Sequence, residues 1–229
     1  MSGVANGPVL DLLRGDGDAL PPGPRTASAE AVEQAHRRRL IAGMAEAASA
    51  KGYAQTTIAD VVSRAKVSRR TFYEHFPDKE ACFIAAYEAT SEVLMSVVDA
   101  AASSGEQRWD ERIASSMEAY MRSLAGDPDL TRLFLVDILG AGPAALRARR
   151  RVNERFASLV NDLVMAHADE APVPLEWDPA FAVAIIGGVD ELVRNAVQDG
   201  LGARLGGLSR TASAFVRAVI LPGARVAAP

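Results

Sequence analysis

The chain has 229 residues, 49% of them hydrophobic and 24% charged, which is the range of a globular protein with one or two domains and ample core. Its net charge of −4 argues against a non-specific polyanion binder. The single cysteine, Cys82, excludes an intramolecular disulfide and points to a reducing, cytoplasmic setting. No apolar run is expected to reach the length of a membrane span, and Asp11, Asp16 and Asp18 break any secretory signal pattern at the N-terminus.

Residues 1–28 are rich in Gly, Pro and Asp without a sustained period, and are expected to form a disordered arm. A first helix is predicted from about Ser28 or Glu30 to Lys51. Leu40, Met44, Ala47 and Ala48 mark its buried stripe, and Gly52 ends it. Tyr53 packs the corner that follows.

Thr57–Lys79 carries the densest signal. Thr57 caps a short helix with Asp60 three residues on, the spacing of a capping box. Ile58, Val61, Val62 and Ala65 then recur at one helical face. Ser68 caps a second helix. Phe72 and Phe76 lie on its inner face, while Arg69, Arg70 and Tyr73 point outward. That layout is a helix-turn-helix. A helix fits the major groove, arginine forks onto guanine or phosphate, and free amides at helix starts receive phosphate oxygens. The basic residues Arg37, Arg38, Arg39, Lys51, Arg64, Lys66, Arg69 and Arg70 cluster in this region of an acidic chain.

After Pro77-Asp78 a long helix is predicted to about Ser103, with Ile84, Tyr87, Leu94 and Val98 on one face and Cys82 turned to the core. Further helices are expected at about 106–125, 128–139, 143–169, 178–199 and 207–220, punctuated by glycine and proline. No strand pattern survives. The fold class is therefore all-α: a three-helix N-terminal module at 29–77 and a larger helical ligand-binding and dimerisation bundle at 78–229.

Phe181–Val197 is apolar on nearly every side, which asks for partners on two sides. Phe181, Ile185, Gly188 and Leu192, with Ala212, Phe215, Val216 and Val219 of the last helix, are assigned to a four-helix homodimer interface. Trp109, Met117, Tyr120, Met121, Phe134 and Met165 are large or pliable residues suited to lining an apolar ligand pocket. Asp137 interrupts an apolar run and is assigned to orient a polar or cationic group there.

Gly52-Tyr53, Thr56-Thr57-Ile58-Ala59 and Val67-Ser68, followed by Thr71-Phe72-Tyr73-Glu74-His75-Phe76-Pro77-Asp78-Lys79-Glu80, resemble the N-terminal signature of the TetR family of one-component transcriptional regulators. The resemblance covers about residues 33–88. It implies an all-α homodimer, a helix-turn-helix on each subunit and a ligand pocket in the C-terminal bundle. On the same grounds Arg69, Arg70 and Thr71 stand where base edges are met, and Thr57, Tyr73, His75 and Lys79 where the DNA backbone is met. Lys66 stands where relatives usually carry glycine in the turn, and Arg70 where a small residue is common.

The expectation is thus a repressor that binds a palindromic operator in double-stranded DNA as a homodimer. A small hydrophobic or aromatic effector would release it. No cofactor, no metal, no membrane partner and no catalytic residue are assigned. The alternatives are a ligand-responsive activator, or a helical adaptor or enzyme with a vestigial helix-turn-helix. Gly140-Ala-Gly-Pro-Ala-Ala145 fits a dinucleotide fingerprint only superficially, since that motif needs a strand before it. His36, His75 and His167 have no paired metal-ligand spacing.

Overall fold

The computed structural model describes residues 9–14, 28–104, 108–170 and 177–221. Among these the chain is helical and no strand occurs. The helices are α1 (Val9–Arg14), α2 (Ala29–Lys51), α3 (Ile58–Ala65), α4 (Arg69–His75), α5 (Lys79–Ala102), α6 (Trp109–Gly126), α7 (Pro128–Leu135), α8 (Pro143–Ala166), α9 (Ala180–Gln198) and α10 (Ser209–Ile220). Short 3-10 turns at Asp137–Gly140, Ala168–Glu170 and Gly202–Leu208 link the later ones.

Helix boundaries follow local chemistry. The Ser28 hydroxyl accepts from the Ala31 amide at the start of α2, and Gly52, at φ 82°, ends it. At α3, Thr57 and Asp60 satisfy each other's backbone amides in a capping box. Lys51 reaches the same Asp60 carboxylate at 2.6 Å and ties the end of α2 to the start of α3. Asp78 caps α5 by accepting from Ala81. Pro128 and Pro143 occupy first-turn positions of α7 and α8, where the missing amide costs nothing.

Two backbone features hold the small N-terminal module. Gly43 brings α2 against α3 so closely that a Cβ there would fall 2.9 Å from the Val61 carbonyl oxygen and 3.1 Å from the Ala65 amide. Lys66 turns the chain between α3 and α4 in the left-handed region, φ 52° and ψ 45°, which disfavours a side chain. Leu40, Met44, Val61, Phe72, Phe76, Cys82 and Phe83 form the buried centre of this module.

The expectation of a disordered arm is corrected at Val9–Arg14, which form α1; residues 1–8 and 15–27 lie outside the described residues. Val9 is buried at 2% exposure, and Arg14 donates to Glu46 of α2 through Nε at 3.0 Å and Nη2 at 2.7 Å. Leu10, Leu12 and Leu13 give this short segment enough apolar surface to dock.

Helix α5 is the spine. It packs against α2 on one side and against α6 and α8 on the other. Contrary to the sequence expectation, it is long and apolar enough to cross a membrane, with mean hydropathy 1.4 over its most apolar window. Half of that window is buried inside the protein, as in the core helix of a bundle.

The interface expected from α9 and α10 needs correction too. Ile185, Ala212 and Val216 are buried in their own subunit. Gly188 is occupied from within: a Cβ there would meet the Phe215 ring at 2.7 Å, so α9 and α10 pack on each other at this point. Phe181 and Val183 remain exposed, at 41% and 62%, with Leu192 and Val219 partly so.

Candidate nucleic-acid interface and interior cavity

Helix α4 has seven residues and two unlike faces. Phe72 and Phe76 turn inward with ring centroids 5.9 Å apart. Arg69, Arg70, Tyr73 and Glu74 turn to solvent. The Ser68 hydroxyl accepts from the Thr71 amide at 3.0 Å and shares a 2.9 Å hydrogen bond with the Thr71 hydroxyl, which places both at the N-terminal end of the helix. No acidic residue lies in the first turn, so the positive helix end is open to an anion. Arg70 pairs with Glu74 at 3.0 Å, but both side chains are largely exposed, so the pair is weak and an incoming phosphate or base competes for it.

Not every expected contact residue faces outward. Lys79 turns in: its ammonium donates to the carbonyls of Tyr53 and Thr56, each at 3.0 Å, and lies 4.3 Å from the centre of the Tyr53 ring. These acceptors hold the ammonium as a clamp on the corner before α3. The Thr57 hydroxyl is held in the capping box. His75 is half-buried, its ring edge-on to His36 with centroids 6.2 Å apart. Burial first, then Arg39 and His75, holds His36 below the usual histidine range. The arginine triplet separates: Arg37 lies 4.8 Å over the Phe76 ring, while Arg38 and Arg39 join Arg14, Arg64 and Lys66 around a basic cleft of about 220 Å³ behind the turn.

Inside the C-terminal bundle lies an apolar cavity of about 70 Å³. Helix α5 contributes Tyr87, Thr90, Ser91, Leu94 and Val98; α7 contributes Phe134; α8 contributes Val152, Asn153 and Phe156; α9 contributes Ile185, Val189 and Asp190. Val9 of α1 closes one side. Of the expected pocket residues, Met117, Tyr120 and Phe134 meet on this wall. Trp109 lines a neighbouring apolar recess with Met117, and its indole N–H donates to the His167 carbonyl at 3.0 Å. Met121 is fully buried away from both spaces. Met165 is corrected outright: it sits on the outer side of α8 at 55% exposure.

Asp137 is corrected as well. It lies in the 3-10 turn after α7, 3.8 Å from Arg132, and does not reach the cavity. The acid that does is Asp190, 7% exposed. Arg149 of α8 donates to its Oδ2 at 2.7 Å and Asn153 to the same oxygen at 3.4 Å. Burial nevertheless raises its carboxyl above the usual range, opposed by Arg149, Arg194 and Asn153. Burial, reinforced by Asp190, also raises the phenols of Tyr87 and Tyr120. An acid interrupting the apolar face of α9 was the signal available in the sequence.

The cavity and the N-terminal module share a wall of rings. Tyr53 stacks on Phe83 at 4.3 Å, Phe83 meets Phe134 at 5.7 Å, and Phe134 meets Tyr87 at 5.4 Å. The glycine-rich Gly140–Ala145 segment joins a 3-10 turn to α8, not a strand to a helix.

Residues 40–86 match the family model described as bacterial regulatory proteins, tetR family. No curated protein matches. Among solved structures, the fatty acid degradation regulator FadR from Bacillus halodurans superposes with TM-score 0.69 at 18% identity, over 79% of this chain and 94% of that one. The transcriptional regulator FadR from Bacillus subtilis, in complex with stearoyl-CoA, gives 0.68 at 17% identity, over 80% and 98%. A TetR-family regulator from Mesorhizobium loti gives 0.63 at 21% identity, over 82% and 96%. At these identities the likeness is one of fold.

Proposed function

This chain is a regulator of the TetR family by its N-terminal domain, and from that premise we propose that it is a ligand-responsive transcriptional repressor acting as a homodimer on a palindromic operator. The observation that carries the reading is the two-faced α4, with Phe72 and Phe76 anchored and Arg69, Arg70 and Tyr73 free to enter a major groove. Thr71 and the N-terminal amides of α4 accompany them toward the DNA. Residues 29–77 then act as the DNA-binding module and the remainder as the effector and dimerisation module.

Dimerisation is assigned to the outer sides of α9 and α10, where Phe181 and Val183 are exposed on a helix that already buries its opposite side. Two subunits set their α4 helices about 34–36 Å apart, one turn of duplex. The effector enters the cavity walled by α5, α7, α8 and α9. A ligand there presses on Tyr87 and Phe134. Phe83 and Tyr53 pass the displacement to the corner that Lys79 clamps, and the spacing of the α4 pair changes. A coupling of about 1–3 kcal/mol alters operator affinity about 5–150-fold.

The test is a gel shift with the purified protein and DNA upstream of its own gene, repeated across a salt series. A retarded band whose affinity falls steeply with salt is expected, because phosphate contacts release counterions. Absence of a band at low salt overturns the DNA-binding reading. Sedimentation of the same sample as a monomer overturns the dimer.

A further inference from the structure

The charge on the cavity wall is one-sided. Its lining residues include two carboxylates, Asp127 and Asp190, and no lysine, arginine or histidine. Arg149 stands behind Asp190 and is not part of the wall. Both donors to Asp190 fall on Oδ2, so among the described residues Oδ1 accepts no hydrogen bond although the residue is 93% buried. Asp127, at the α1 side, accepts from the Leu10 amide at 3.4 Å and from the Val9 amide. Four aromatic rings line the same space: Tyr87, Tyr120, Phe134 and Phe156.

A buried carboxylate with an idle oxygen is costly unless a donor arrives. A protonated amine supplies one, and its positive charge is also attracted by ring faces. A ligand carboxylate or phosphate would meet carboxylates on the wall and no cation lining it, Arg149 and Arg194 standing behind Asp190. We propose that the effector of this regulator is an organic amine: a compact apolar or aromatic body with a protonated nitrogen hydrogen-bonded to Asp190 Oδ1. This rests on the cavity being the effector site. Asp190 lies 53 residues downstream of Asp137, on another helix, and so takes the part the sequence had given to that acid. At about 70 Å³ the space equals the share of roughly two waters at about 30 Å³ each, so a one-ring amine enters by displacing side chains of the wall, which favours a small ligand.

The experiment is titration calorimetry of the full-length protein at pH 7 with three probes of like shape: 2-phenylethylamine, 2-phenylethanol and 3-phenylpropanoate. The amine is expected to bind about tenfold or more tighter than the alcohol, as a charged hydrogen bond warrants, and the carboxylate to bind weakest. Asp190→Asn is expected to lower amine affinity about tenfold or more while leaving the alcohol unchanged. Because that variant strands the Arg149 charge, Asp190→Asn with Arg149→Gln is measured alongside, and the amine preference must vanish there too. Equal or tighter binding of the carboxylate, no binding of the amine, or an amine preference that survives both variants overturns the assignment. Leu94→Trp, which fills the cavity, separates the two readings. If it abolishes binding of every probe yet the ranking in the native protein is flat, only the amine assignment fails. If binding persists in Leu94→Trp, the cavity is not the site.

Discussion

Phe83 stacks on Tyr53 with ring centroids 4.3 Å apart and leans its other side on Phe134 at 5.7 Å. One fully buried ring thus touches both the corner before α3 and the cavity wall. Phe83→Leu is expected to keep the fold, with a loss of about 1–3 kcal/mol of stability. It is also expected to leave operator affinity intact while shrinking the response to effector. Operator titrations with and without effector check this; an unaltered response removes the ring relay as the route.

Arg69 and Arg70 extend from α4 with their bases of support buried at Phe72 and Phe76. Replacing either by alanine is expected to cost about 1–3 kcal/mol of operator binding without changing the melting temperature. Fluorescence anisotropy over a salt series separates their roles. A base-reading arginine loses discrimination between operator and scrambled DNA, and a phosphate-bound one flattens the salt slope.

Lys79 gives a sharper test because two roles predict different readouts. As a clamp on the Tyr53 and Thr56 carbonyls, its loss in Lys79→Met is expected to lower stability by about 1–3 kcal/mol by leaving two carbonyls without their donor. The salt dependence of DNA binding should stay as it was. A flattened slope with an unchanged melt would return Lys79 to the DNA backbone.

The turn and the close helix crossing should respond in opposite directions. Gly43→Ala forces a methyl into the Val61 carbonyl and is expected to destabilise by about 1–3 kcal/mol. Lys66→Gly relieves a left-handed residue and is expected to stabilise by about 1 kcal/mol. Chemical denaturation of the two variants is sufficient, and a stabilised Gly43→Ala would contradict the packing described.

Two ionisable groups carry pH predictions. The Lys51 and Thr57 hydrogen bonds hold the Asp60 carboxyl well below its ordinary value of 3.8. A depressed folded value means stability that is present above the unfolded value and lost as pH falls through it toward the folded one. Acid unfolding below about pH 4 should therefore be less steep in Asp60→Asn. Cys82 behaves in the other direction: burial pushes its thiol up to about 12, so iodoacetamide at pH 8 should label it only after denaturant is added.

The helix-turn-helix was legible because its information is local. Thr57 and Asp60, Ser68 and Thr71, and Phe72 and Phe76 lie within four residues of each other, and caps and apolar spacing operate over that range. The cavity was legible only in its apolar wall, at Met117, Tyr120 and Phe134, because its polar end is made by residues far apart in the chain: Arg149 and Asp190 are separated by 41 positions. Single-residue clues misled there. Met165 is pliable but points outward, and Asp137 breaks an apolar run that ends in a turn, not in the core. For Lys79 the motif gave the position, but the carbonyls that hold its ammonium are supplied only by the folded corner. The Gly- and Pro-rich surroundings of α1 hid a six-residue helix whose anchor, Glu46, is 32 residues away.

That short helix has a practical consequence. Val9 is a plank of the chamber wall and Arg14 is bolted to α2. Trimming the leader to ease crystallisation would knock out the plank, flood the chamber and loosen the bolt in one stroke. Effector screens run on such a shortened protein would measure a leakier vessel than the one the full chain builds.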